Sequence, residues 1–146
     1  MMELKFTEEQ DAIRQMVRDF VDQEIRPHAQ RIDEEEKTDF TIVKKAAELG
    51  LMGVSLPEEY GGIGQGKVGF CIFVEELSRG CAGTATAIGC HQSIGAMTIV
   101  MDGTPEQKKK YLPSMATGEK IGAFALTEPN AGSDAAAIQT TATKDG

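Results

Sequence analysis

The sequence predicts a mainly α-helical domain that gives way to β structure only near its end. Two observations carry this expectation. Up to about Tyr111, apolar residues recur at helical spacing, with helix-starting and helix-stopping residues between the runs. At Ile121 the pattern changes to a short apolar run, Ile121-Gly122-Ala123-Phe124-Ala125-Leu126, followed by a polar loop containing Thr127, Pro129, Gly132 and Ser133. Such a run reads as a buried strand that stops abruptly. The chain therefore divides into a helical domain over residues 1–120 and the start of a β domain, incomplete, over 121–146.

The elements follow in order. Thr7-Glu8-Glu9-Gln10 is a capping box, and Ile13, Met16, Val17, Phe20, Val21 and Ile25 then form one apolar face. Pro27 should end or kink this helix, and the acidic run Asp33 to Glu36 reads as a solvated face. A second helix spans Phe40 to Leu49, stopped by Gly50, and an apolar connector runs from Leu51 to Leu56. Glycines 61, 62, 64 and 66 form a loop, and Phe70, Phe73, Val74 and Leu77 mark a third helix. A fourth covers Ala82 to Val100, with an interruption near Gly89, and Asp102-Gly103 breaks it. Thr104-Pro105-Glu106-Gln107 restarts a helix with a cap, a first-turn proline and a capping-box glutamine; Pro113 limits its length. Ile138 to Thr143 is a second extended piece, rich in threonine. Asp145-Gly146 is a hairpin-turn dipeptide lacking its return strand, so the chain reads as the front portion of a longer protein.

Totals narrow the function classes. With 146 residues, 40% hydrophobic and 26% charged, the composition is that of a globular protein. A net charge of -8 argues against a nucleic-acid binder, and Lys108-Lys109-Lys110 reads as a solvated helix face. Cys71, Cys81 and Cys90 are odd in number and lack Cys-x-x-Cys spacing, so neither a disulfide framework nor a metal site is indicated and a reducing, cytoplasmic location fits. Met1-Met2-Glu3 opens without a secretory signal. Cys81 to Met101 carries no charge, but its polar residues and glycines make it a buried core helix instead of a membrane span.

The polar loop after Leu126 offers the hydroxyls of Thr127 and Ser133 and several free amides, a donor cluster suited to an electron-rich or anionic group. A merely polar turn is the competing reading, with Thr127 capping it. The stretch Phe124 to Asp134 resembles the flavin-contacting signature of the acyl-CoA dehydrogenase family. Leu56 to Gly62, Val74 to Arg79, and Gly103 to Lys108 with Tyr111-Leu112-Pro113 resemble further segments of that family, in family order. The stretch from Ile121 to Asp134 is most similar to the short-chain or butyryl-CoA members.

The resemblance implies an N-terminal helical domain followed by a β domain and a C-terminal bundle, with FAD as cofactor. It implies α,β-dehydrogenation of an acyl-CoA thioester, a carboxylate taking the α proton and the β hydride passing to flavin N5. Thr127 would then donate to the flavin's pyrimidine edge, and Phe124 and Leu126 would lie against the ring. Gly132 would admit close backbone approach, and Ser133 would stand between cofactor phosphates and the pantetheine arm. Ala85 and Gly89, one helical turn apart, would leave room at the floor of an acyl pocket. The family's base is a glutamate of the C-terminal domain, so no catalytic residue is assigned here; Glu128 matches no such role. An electron-transfer flavoprotein as acceptor and a homotetramer are implied by the family alone. His91 reads as a satisfied core or subunit-contact histidine. Alternatives are an acyl-CoA oxidase or flavin monooxygenase on the same scaffold, or a cofactor-free helical interaction module.

Overall fold

The computed structural model describes residues 5–145. Met1–Glu3, and Gly146 of the expected turn dipeptide, lie outside the described residues. The helices are α1 (Glu8–Phe20), α2 (Ala29–Glu35), α3 (Phe40–Glu48), α4 (Gly66–Gly80), α5 (Ala82–Cys90), α6 (Met97–Asp102) and α7 (Pro105–Ala116). The predicted mainly α class is what the chain adopts.

The capping box at Thr7 is made in full: Thr7 Oγ1 accepts from Gln10 N at 3.2 Å and Gln10 Oε1 accepts from Thr7 N at 3.0 Å. Pro27 does not end the first helical run. It sits in a 3-10 turn, Arg26–His28, between a π-helical turn, Val21–Ile25, and α2. The wide turn followed by the tight one absorbs the hydrogen bond that proline lacks, which is how a helix bends without breaking. The acidic run after it is solvent-exposed.

α1 and α4 pack through Val17, Phe20, Phe73 and Leu77, part of a core that also takes in Ile42, Leu51, Met52 and Ile88. Embedded in that interface is Glu76, 2% exposed. Its carboxylate accepts from Arg18 Nη2 at 2.6 Å and Nε at 3.2 Å, and from Arg79 Nη1 at 3.0 Å, with Arg14 Nε 3.8 Å away. The Arg18 bond holds the Glu76 carboxyl below its usual range against the opposing effect of burial.

α4 starts at Gly66, earlier than its aromatic positions alone indicate. The long uncharged helix is continuous from Ala82 to Asp102, and the interruption expected near Gly89 is a π-helical turn, His91–Ala96, joining α5 to α6. No described helix is long and apolar enough to cross a membrane. α7 runs past Pro113 to Ala116, because the lost donor falls in the last turn, where Thr117 N still reaches Pro113 O at 3.2 Å. A smaller core of Leu56, Ala96, Leu112, Met115 and Ala116 joins α7 to the π-helical turn.

The expected buried strand at 121–126 is corrected. The segment is non-helical but pairs with no strand among the described residues, and Ile121, Phe124 and Leu126 are 47%, 48% and 42% exposed. Residues 138–143 likewise join no ladder among the described residues; the one isolated bridge is Glu128 with Ala131. A short apolar run becomes a buried strand only when a neighbour takes up its backbone groups and a second layer covers its side chains.

Candidate functional site

The chain reaches the site by a sharp turn. Gly118, at φ 73°, closes α7 where a Cβ would lie 2.7 Å from Ala47 Cβ and 2.9 Å from Met52 Cγ, so both backbone angle and space require glycine. The next residues cross the π-helical turn. Gly122 N donates to His91 Nδ1 at 2.8 Å, and His91 Nε2 lies 3.0 Å from Met115 O. Burial pushes the His91 imidazole below its ordinary pKa, opposed by the backbone of Met115 and, less, of Met52. Gln92 beside it donates to Leu51 O at 2.9 Å and accepts from Ser55 N at 3.1 Å. The satisfied core reading of His91 is what the structure shows. The signal for these two was visible as polar side chains in a stretch of small and apolar residues; their partners, far away in sequence, were not.

From Ala123 to Thr127 the backbone amides have no hydrogen-bond partner among the described residues. Glu128 and Ala131 then close a tight turn over Pro129 and Asn130, with Glu128 N to Ala131 O at 2.8 Å and Ala131 N to Glu128 O at 3.2 Å. The turn brings Thr127 and Gly132 face to face: a Cβ on Gly132 would meet Thr127 Cγ2 at 4.0 Å. Ser133, next in the chain, is exposed. The Glu128 carboxylate accepts from Thr140 Oγ1, from Thr140 N at 2.8 Å and from Gln139 N at 3.0 Å. Those bonds, the hydroxyl's first, hold it below the usual carboxylate range. Glu128 thus ties the loop to Gln139 and Thr140.

Phe124 and Leu126, two residues apart in this non-helical segment, are both about half exposed. The turn brings Thr127 and Gly132 together, with Ser133 following Gly132 in the chain. Ala85 and Gly89 are elsewhere, in a groove of about 210 Å³ between α4 and α5 lined also by Phe70, Val74, Cys90 and Ser93. No residue of the 121–133 segment lines that groove. This row of amides and the Thr127 hydroxyl, without partners among the described residues, is a donor set that fits the carbonyl- and nitrogen-rich edge of a flavin.

The family model for the acyl-CoA dehydrogenase N-terminal domain matches residues 7–119. The chain belongs to the acyl-CoA dehydrogenase family. It is 47% identical over 145 residues to the short-chain specific acyl-CoA dehydrogenase of Clostridium acetobutylicum, a match covering 99% of this chain and 38% of the relative. A chain in a solved structure of the electron transferring flavoprotein of Acidaminococcus fermentans, a study of flavin-based electron bifurcation, superposes with a TM-score of 0.91 at 41% identity, over 99% of this chain and 38% of that one. The acyl-CoA dehydrogenase of Bacillus anthracis, solved with FAD, superposes with a TM-score of 0.83 at 43% identity, over 92% of this chain and 23% of that one. The chain thus spans little more than a third of the length of the first of these relatives.

Proposed function

We propose that this chain is the N-terminal part of an FAD-dependent enzyme that oxidises a short-chain acyl-CoA thioester to the trans-2-enoyl-CoA. The observation that carries the reading is the unpartnered amide row of residues 123–127 ending at the Thr127–Gly132 turn. The chemistry that bound FAD would supply is an acceptor for the hydride leaving the substrate's β carbon. This chain's residues bind and orient. Thr127 and the amides before it donate to the cofactor's electron-rich edge, where negative charge grows as the reaction proceeds. Phe124 and Leu126 supply apolar cover that excludes water from the reacting faces. Gly132 lets backbone approach closely, and Ser133 offers a hydroxyl toward the pantetheine arm. Ala85 and Gly89 leave room at the α4/α5 groove for an acyl tail.

Residues 121–146 are read as the opening of the β domain, whose remaining strands would cover Phe124 and Leu126. No base is assigned within this chain. The electron acceptor is an electron-transfer flavoprotein, and the full-length protein is a homo-oligomer. The test is to purify the full-length protein and add butyryl-CoA. A yellow protein whose flavin absorbance bleaches supports the reading; a colourless protein that takes up no FAD overturns it. The 146-residue chain alone is expected to hold FAD poorly and to show no turnover with butyryl-CoA and an artificial acceptor.

A further inference from the structure

His91 is fully buried and is bonded to backbone on two sides. Gly122 N–H can only donate, so Nδ1 carries the lone pair; Nε2 then carries the hydrogen that Met115 O accepts. One neutral tautomer satisfies both bonds, and those bonds span the turn from the end of α7 to the first extended residues. The π-helical turn His91–Ala96 buries His91, Gln92, Gly95 and Ala96 together. Such a wide turn aims neighbouring side chains differently from an α turn and recurs at functional sites.

Backbone packing leaves the segment little slack there. A Cβ on Gly95 would fall 2.8 Å from Gly122 C, and one on Gly122 would fall 2.4 Å from Met115 Cε and 3.2 Å from Gly95 Cα. Beyond Gly122 no backbone amide finds a partner among the described residues until Glu128. The His91 bond is therefore the last tether of the segment to the helical core before the loop closes on itself.

We propose that His91 is a positioning residue: its imidazole fixes the direction in which residues 121–127 leave the core, and so where Phe124, Leu126 and Thr127 meet the flavin. The proposal rests on the flavin reading above. An asparagine at 91 can place its Oδ1 where Nδ1 stands and keep the Gly122 bond; a glutamine can reach Met115 O but leaves Gly122 N without an acceptor.

The experiment compares full-length His91→Asn, His91→Gln and Gly95→Ala proteins with the parent, by residue-resolved hydrogen exchange at the Gly122 amide and by FAD dissociation constant. His91→Gln is expected to speed exchange of the Gly122 amide, the one donor of this segment bonded to His91, about ten-fold and to weaken FAD about ten-fold, the worth of one buried donor left unpaired. His91→Asn should stay within about three-fold of the parent on both measures. Gly95→Ala, which leaves the ring intact but crowds Gly122, should speed exchange of the same amide and weaken FAD; if His91→Gln does not fold, an FAD affinity unchanged in Gly95→Ala overturns the proposal. Equal effects of Asn and Gln, or unchanged exchange of the Gly122 amide in Gly95→Ala, would overturn the proposal. A parent that binds no FAD overturns the flavin reading alone, and the exchange ratios still decide whether His91 holds the segment.

Discussion

Replacing Glu76 by glutamine isolates the buried carboxylate without changing its shape. The parent side chain accepts three hydrogen bonds from two guanidinium groups and sits 2% exposed between α1 and α4. Glutamine keeps one acceptor oxygen and turns the other position into a donor facing donors. Removing one partner of a buried ion pair costs about 3–5 kcal/mol. The lower end applies here, because the arginines keep part of their surface in water and can recover hydration. A loss of about 3 kcal/mol follows, or roughly 6–12 °C in Tm for a domain of this size.

Urea unfolding followed by circular dichroism measures it, with the pH dependence as internal control. The folded pKa of Glu76 lies below its unfolded value, so its contribution is complete above the unfolded pKa and is lost as pH falls through the folded one. Parent and variant should therefore converge on acidification. A difference under about 1 kcal/mol at neutral pH, the range of a surface pair, would show that the arginines do not act through this carboxylate. A gap that stays constant into strong acid would show the same.

Further outcomes follow from the same packing. Thr84 Oγ1 is buried with no hydrogen-bond partner among the described residues, so Thr84→Val should stabilise by about 1 kcal/mol in the same unfolding assay. Gln92→Leu leaves Leu51 O and Ser55 N without their partner and should cost about 2 kcal/mol, read as a lower urea midpoint at unchanged slope. Since burial lowers the His91 pKa, the unfolded state takes up the proton first as pH falls below the ordinary histidine value. Stability should then drop by at most about 1.4 kcal/mol per pH unit, a slope that His91→Asn removes. At Gly89 a Cβ would meet Val74 Cγ2 at 3.6 Å, ordinary contact, so Gly89→Ala should fold normally. Gly89→Leu should overfill the α4/α5 groove at about 1–3 kcal/mol and, in the full-length enzyme, shift activity toward shorter acyl chains.

The sequence by itself determined the helices, because capping, apolar spacing and stop signals act within a few residues of each other. The boxes at Thr7 and Thr104, the stop at Gly50 and the long helix from Ala82 are all local features of this kind. The donor-rich loop from Thr127 to Ser133 was legible for the same reason. Tertiary structure decided what depends on contacts distant in the chain. It made Pro27 and Pro113 tolerable within helical runs, since each missing bond could be absorbed by a changed turn or a helix end. It kept Ile121–Leu126 unpaired, since no strand among the described residues lies beside it. It also gave Glu76 its Arg18 and His91 its two backbone partners, pairings across 24 to 58 residues that no local pattern encodes. Local order is set by neighbours in sequence, whereas a buried polar group is satisfied only by whatever the fold carries to it.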